Sequence, residues 1–427
     1  MISASPGQQP TESVEPTELR GQGANLALAT WVFAINFWAW NLIGPLSATY
    51  TKAMSLTSTQ TALLVATPIL VGSVGRIPVG ALTDRYGGRK MFTAISLITI
   101  VPVLLVTFAG NIDSYALMLV FGFLLGIGGT TFAVGIPFVN AWYEKSRRGF
   151  ATGVFGVGMG GTALSAFFTP RFVTWFGYIP AHLIIAAALA LTAGLVMTRM
   201  KDSPVWQPNT DPVVPKLKAA GKLPITWQMA FLYAVTFGGF VAFSTYLPTY
   251  LKTVYDFSIT DAGARTAGFA VAAVIARPIG GVLSDRLHPK FVVMLSLAGA
   301  AVMAVVVSLQ PAPELAAGAS FIVLAFFLGI GTGGVFAWVA RSAPPNRVGA
   351  VTGIVGAAGG LGGYFPPLVM GATYDAEDND YTTGLYLMAA TCVIALLFTA
   401  LALPGRGARK TAPVGPDGTP STGVGAA

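Results

Sequence analysis

Polar residues in this chain come in short bursts, separated by apolar stretches of 20 residues or more. A helix of about 20 apolar residues is long enough to cross a bilayer. The alternation predicts twelve helices, near 25–50, 57–84, 90–109, 113–143, 147–175, 178–199, 224–252, 260–286, 289–310, 314–343, 346–373 and 380–403. The bursts are turns, with one exception. "KDSPVWQPNTDPVVPKLKAAGK" is long, Pro-rich and basic. It reads as a linker between two sets of six helices.

The predicted organisation is a cytoplasmic tail over 1–24, a six-helix bundle over 25–200, a cytoplasmic linker over 201–223, a second bundle over 224–404 and a cytoplasmic tail over 405–427. The first tail is polar and acidic, without a basic segment leading into an apolar one, so it does not read as a cleaved signal peptide. The single cysteine, Cys392, lies in an apolar run and is expected to pack there.

Composition agrees with the pattern: 54% of residues are hydrophobic and 10% charged, where a soluble domain has about 25% charged. The formal net charge of +8 raises the possibility of nucleic-acid binding. The distribution argues against it, because the basic residues sit in inter-helix turns. Arg85, Arg89, Lys90, Lys145, Arg147, Arg148, Lys201, Lys216, Lys218, Lys222, Arg286, Lys290, Arg341 and Arg347 all fall on the side of the even-numbered turns. The opposite side carries Lys52, Asp113, Lys252, Asp256, Asp261, Glu314 and "YDAEDNDY". The positive-inside bias makes the basic side cytoplasmic, with both termini inside, in a multi-pass protein of the cytoplasmic (inner) membrane.

The chain repeats itself. "VGSVGRIPVGALTDRYGGRK" in the second helix and "AAVIARPIGGVLSDRLHPK" in the eighth align Arg76 with Arg277, Gly80 with Gly281, Leu82 with Leu283, Asp84 with Asp285 and Arg85 with Arg286. Parallel halves of this kind build transporters with a central site. The fold class expected is all-α, twelve transmembrane helices in two pseudo-symmetric six-helix bundles. Each arginine lies eight residues before the Asp-Arg of its turn, about 12 Å along a helix. An arginine at that depth costs about 2.5–3.5 kcal/mol on insertion scales. No Asp or Glu falls in the middle of an apolar span. Carbonyl oxygens and water are one way to satisfy the two cations. An anion shared between them is the other, because guanidinium donors match a planar oxyanion. Nitrate, nitrite, bicarbonate and small carboxylates all meet that description.

Glycine recurs in two helices. "GVFGVGMGG" holds Gly153, Gly156 and Gly160, and "GIVGAAGGLGGYFPP" holds Gly353, Gly356 and Gly360. With α-helical spacing each set shares one face. Glycine in a helix costs about 1 kcal/mol relative to alanine, and in membranes it allows close helix approach. These faces serve either static packing or sliding between halves. Asp84, Arg85, Asp285 and Arg286 are expected to stabilise a gating state from the turns rather than touch substrate.

"GALTDRYGGRK" and its copy "GGVLSDRLHPK" resemble the loop signature of the major facilitator superfamily. With the arginine pair, the two glycine runs and "YAVTFGGFVAFSTYLPTYL", nearly the whole chain resembles the nitrate/nitrite porter family within it. The resemblance implies that Arg76 and Arg277 hold the anion from opposite halves. It also implies that Phe132, Tyr233 and Phe237 line the site, with the rings flanking the anion and the tyrosine hydroxyl donating to it. The family's fifth-helix motif commonly ends in Gly-Asn. Counted from Phe132, that asparagine falls on Gly160, which places Gly160 in the substrate shell without the amide.

His182 and His288 sit near helix ends and are expected at a surface or interface. No pair of them suggests a metal site. The chain lacks a nucleotide-binding motif and any Ser-His-Asp, Cys-His or paired-carboxylate constellation, so neither an enzyme nor an ATP-driven pump is expected. No cofactor, nucleic acid or obligatory protein partner is inferred. The expected function is secondary transport of nitrate and nitrite by alternating access, as nitrate/proton symport or nitrate/nitrite exchange. A porter of another small anion such as a carboxylate, or an anion-gated membrane sensor or channel, is the alternative.

Overall fold

The computed structural model describes residues 19–144, 147–209, 212–313, 315–344 and 347–403. Most of the expected tail 1–24 and all of the tail 405–427 lie outside these residues, as do Lys145 and Glu314. Among the described residues, twelve helices are long and apolar enough to span a membrane: Gln22–Ala53, Ser58–Tyr86, Gly88–Asn111, Tyr115–Trp142, Phe150–Phe176, Tyr178–Arg199, Pro224–Tyr255, Ile259–Arg286, Pro289–Ser308, Leu315–Ser342, Val348–Ala372 and Thr382–Ala402. They are numbered here as spans 1 to 12. The segment joining spans 6 and 7 carries a short helix, Val213–Gly221.

Local sequence fixes the span ends. Thr57 and Gln60 cap span 2 reciprocally: the Gln60 amide donates to Thr57 Oγ1 at 3.2 Å, and the Thr57 amide donates to Gln60 Oε1 at 2.9 Å. The turn from span 2 to span 3 passes through Gly87 at φ +87°, a conformation that a side chain would strain. A Cβ there would also press on the Asp202 carboxylate, which accepts the Arg89 amide at 3.0 Å. The start of the linker is thereby pinned beneath the first bundle.

Spans 7, 8 and 10 are continuous α-helices. Spans 4 and 5 are not. Each passes through a 3-10 segment where glycines cluster, Gly126–Thr130 in span 4 and Val157–Gly160 in span 5. Close packing accompanies the change. Gly126 lies against the Pro68 carbonyl and Val71, Gly129 against the Trp40 indole, and Gly158 against the Phe33 ring.

Between the bundles, span 2 packs on span 11 and span 5 packs on span 8. Spans 2 and 8 are repeat partners, as are 5 and 11, so the two contacts are copies about one pseudo-twofold axis. The bundles meet closely at the end remote from the linker. Ser47 Oγ and Thr249 Oγ1 are 2.7 Å apart, Gly44 lies under the Thr245 carbonyl, Gly263 under that of Ala166, and Gly371 under that of Ser58. Nearer the linker, Gly153, Gly281, Gly349 and Gly353 face open space. The bundles are thus closely joined at the end remote from the linker.

His182 departs from expectation, since it is fully buried inside the first bundle. Its Nδ1 lies 2.8 Å from the Tyr178 carbonyl, and the Tyr178 hydroxyl lies 3.1 Å from that of Tyr50. Position near a helix end fixes depth but not azimuth, and this face of span 6 packs inward. His288 is half-buried at the start of span 9, where Nδ1 accepts the Lys290 amide at 3.2 Å.

Candidate functional site

Arg76 opens the second segment of span 2, just after Gly75, and is 3% exposed. Its Nη1 donates to the main-chain carbonyl of Gly356, in span 11 of the other bundle, at 2.8 Å. Its Nε and Nη2 are buried and have no hydrogen-bond partner. Those two nitrogens share one edge of the guanidinium and offer the paired N–H geometry that matches two oxygens of a planar oxyanion. The guanidinium carbon lies 5.0 Å from the Phe132 ring centroid and 5.5 Å from that of Phe237.

Arg277 sits in the middle of the unbroken span 8 and is half-buried. Its Nη1 rests on the thioether sulfur of Met159, across the bundle interface. Its guanidinium carbon is 5.8 Å from the Phe132 centroid and 5.5 Å from that of Phe336. Phe132 therefore serves both cations through cation–π contact.

The remaining walls are aromatic. Tyr233 and Phe237 stack in parallel, with centroids 4.8 Å apart and planes 2° apart. Phe336 meets Tyr233 edge-on at 4.7 Å and Phe132 at 6.5 Å. The Tyr233 hydroxyl is buried in the field of both guanidiniums, with Arg277 as its polar neighbour and no acceptor for its own O–H. Arg76, Arg277, Phe132, Tyr233 and Phe237 thus form one constellation, drawn from spans 2, 4, 7 and 8.

Among the described residues no carboxylate pairs with Arg76 or Arg277. The described ion pairs lie at span ends, Lys252 with Asp256, and Arg341 with Asp285 at 3.3 Å. A carbonyl does take one nitrogen of Arg76, so one of the two expected ways of satisfying these cations is realised in part. What remains is a largely buried, doubly positive cluster with three idle donors: Nε and Nη2 of Arg76 and the Tyr233 hydroxyl. That arrangement suits binding one small planar anion. It contains no nucleophile paired with a base. Among the described residues no group of three or more His, Cys, Asp or Glu could hold a metal ion.

The glycines of spans 5 and 11 divide by environment. A Cβ on Gly156 would sit 3.8 Å from Arg277 Nε, and one on Gly356 would sit 3.5 Å from the Phe132 ring. A Cβ on Gly360 would strike the Ser73 hydroxyl. Gly153, Gly160 and Gly353 have open space around that position. Within this run it is Met159, rather than Gly160, that touches Arg277. The turn residues lie apart from the pocket. Asp285 pairs with Arg341, the Asp84 carbonyl accepts the Asn209 amide of the linker at 2.9 Å, Arg85 lies over the Tyr86 ring at 5.6 Å, and Arg286 is exposed.

Sequence reasoning missed three contributors, Phe336, Met159 and the Gly356 carbonyl. Phe336 carried a signal, because "GIGTGGVFA" in span 10 echoes "GIGGTTFAV" in span 4 and brings Phe336 close to the repeat position of Phe132. A main-chain carbonyl carries none.

The family model described as Major Facilitator Superfamily matches residues 29–363 and 255–423. A relative from Mycobacterium tuberculosis, "Probable nitrate/nitrite transporter NarK2", is 65% identical over 383 residues, covering 90% of this chain and 97% of the relative. The "Probable nitrate/nitrite antiporter NarK1" of Thermus thermophilus is 35% identical, covering 80% and 83%. The "Nitrite extrusion protein" of Bacillus subtilis is 33% identical, covering 86% and 91%. Among solved structures, a bacterial homolog to the human lysosomal transporter Spinster, in an inward-facing and occupied conformation, superposes with TM-score 0.66. It is 19% identical and covers 89% of this chain and 96% of that one. The inward-facing, unoccupied form gives 0.67. At that identity the likeness concerns the fold alone.

Proposed function

We propose that this chain, which belongs to the nitrate/nitrite porter family of the major facilitator superfamily, carries nitrate and nitrite across the cytoplasmic membrane by alternating access. The observation that carries the reading is the buried Nε/Nη2 edge of Arg76, unpaired beside Arg277 and the Tyr233 hydroxyl, with no carboxylate in reach among the described residues. A planar anion completes that set, with two oxygens on Arg76 and the remainder of its charge toward Arg277 and Tyr233. The rings of Phe132 and Phe237 exclude water, which strengthens each of these contacts. The names borne by the relatives support nitrate and nitrite over the other planar anions.

The linker side is the cytoplasmic side on the charge distribution, with both termini inside, and the glycines with open space around them then lie toward the cytoplasm. The turns bearing Asp84, Arg85, Asp285 and Arg286 act in gating, at a distance from the anion. The domain division proposed is two bundles, over 25–200 and 224–404, rocking about the pocket and joined by the segment 201–223.

Exchange is the coupling favoured here. Two guanidiniums facing one empty pocket repel, and a bound anion relieves the repulsion. A closed intermediate then forms readily only when loaded. A proton-coupled cycle would lack the mid-membrane carboxylate that ordinarily carries a proton. Uptake of nitrate and of nitrite into proteoliposomes tests both statements. Internal nitrite should accelerate nitrate entry over anion-free vesicles under the same pH gradient. Equal rates with strict dependence on the proton gradient would establish symport instead. Absence of uptake of either anion, with transport of a small carboxylate, would replace the substrate.

A further inference from the structure

We infer that Met159 is a displaceable cap on Arg277, and that it sets anion affinity by competing with the anion for that guanidinium. The inference rests on the reading of the arginine pair as the anion site.

Three observations carry it. First, the two arginines are held by partners of unequal strength. Arg76 donates to a carbonyl oxygen at 2.8 Å, a full hydrogen-bond acceptor. Arg277 Nη1 rests on a thioether, which accepts only weakly. Second, Met159 is 2% exposed and is held in the 3-10 segment of span 5, beside Gly158, which lies against the Phe33 ring. Its backbone is fixed, while its side chain is unbranched with three rotatable bonds. Third, Arg277 is half-buried where Arg76 is nearly sealed, so an incoming anion can reach the guanidinium that the sulfur covers.

An oxyanion is a far better partner for a guanidinium than a sulfur atom is. On entry its oxygen takes the place of the sulfur on Arg277. In the empty pocket the sulfur occupies one donor and holds the guanidinium against Phe132 and Phe336. Part of the binding free energy is therefore used to displace it, and the same contact assists release by recapturing Arg277 as the anion leaves. Met159 is on this account a positioning residue, and its removal should strengthen binding while slowing turnover.

The test uses the full-length purified protein, with sodium nitrate titrated calorimetrically and nitrate uptake measured in proteoliposomes. Met159→Leu keeps the bulk and removes the sulfur. Met159→Ala removes both, so that a packing fault in one variant does not decide the outcome. Both variants should bind nitrate about threefold more tightly, the amount expected for loss of a weak competitor. Both should show a lower KM together with a lower kcat. A merely structural role predicts weaker binding, or an unchanged KM. Nitrate affinity that is unchanged or reduced in both variants overturns the cap. A wild-type protein that binds neither nitrate nor nitrite overturns the anion-site reading as well. Binding by wild type with no gain in either variant overturns the cap alone.

Discussion

Arg76 and Arg277 occupy equivalent positions in the repeat, yet they are held differently. Arg76 is nearly inaccessible, begins a helical segment and is tied to a main-chain carbonyl of the opposite bundle. Arg277 is half-buried, lies inside an unbroken helix and touches a thioether. The sequence is symmetric at these positions and the site is not. One arginine is pre-oriented with a fixed, empty pair of donors, while the other is restrained by a partner that an anion can displace. The comparison suggests a division of labour, in which Arg76 defines the shape that is recognised and Arg277 responds to occupancy.

The largest effect should come from the fixed partner. Lysine at position 76 cannot donate to Gly356 and also present two parallel N–H groups. Arg76→Lys is therefore expected to lower kcat/KM for nitrate about 100-fold or more, with near-normal expression. Arg277→Lys should cost less, about tenfold, because the ammonium keeps the charge that this position mainly supplies. Uptake assays on the two variants side by side would show whether the order holds, and equal losses would remove the distinction drawn here.

Next in size is a contact between the bundles. Gly360→Leu places a side chain onto Ser73 where spans 2 and 11 meet. Transport should fall about tenfold or more, the scale of overpacking a tight interface, with nitrate binding from the open side partly retained. Gly156→Leu sets a side chain beside Arg277 and should weaken binding itself. Calorimetry on both variants separates the two roles, and identical behaviour would mean that the two glycines do not differ in kind.

Tyr233→Phe removes one idle donor and leaves the stack with Phe237 intact. A hydrogen bond to a charged group contributes about 1.5–3 kcal/mol, so nitrate Kd should rise about tenfold or more while thermal stability stays close to wild type. An unchanged Kd would assign Tyr233 to packing alone. The smallest effect should be Gly353→Ala. Its Cβ meets open space, and alanine favours the helix by about 1 kcal/mol. Transport should stay within about twofold of wild type, with a slightly raised melting temperature.

The hydropathy alternation, the linker and the repeat revealed twelve spans and two halves, because burial in lipid imposes those patterns directly on residue type. The arginine pair was legible for the same reason, since an unpaired cation in an apolar span stands out. The aromatic wall came through resemblance to a family. Other features were hidden in geometry. Grouping Gly153, Gly156 and Gly160 on one face assumes about 100° per residue throughout. The Val157–Gly160 segment turns about 120° per residue, so by its end the phase has shifted by most of a quadrant. That shift separates the surroundings of Gly160 from those of Gly156 and leaves Met159 on Arg277. The Gly356 carbonyl and the burial of His182 depend on azimuth and main-chain position, which residue type does not encode.

The unpaired cations also bear on membrane voltage. Without an anion, two positive charges stand inside the spans without a described carboxylate partner, and a bound monovalent anion halves the net charge. When the open end alternates, the electric field across the membrane falls on the opposite side of those charges, as though they had moved through it. Each charge traversing the whole field corresponds to about 2.3 kcal/mol per 100 mV. Reorientation of the empty carrier should then be about twice as voltage-dependent as that of the loaded one. An inside-negative potential draws the positive pocket into contact with the inner solution. With the linker side cytoplasmic, as proposed above, the potential would favour the empty carrier open toward the linker.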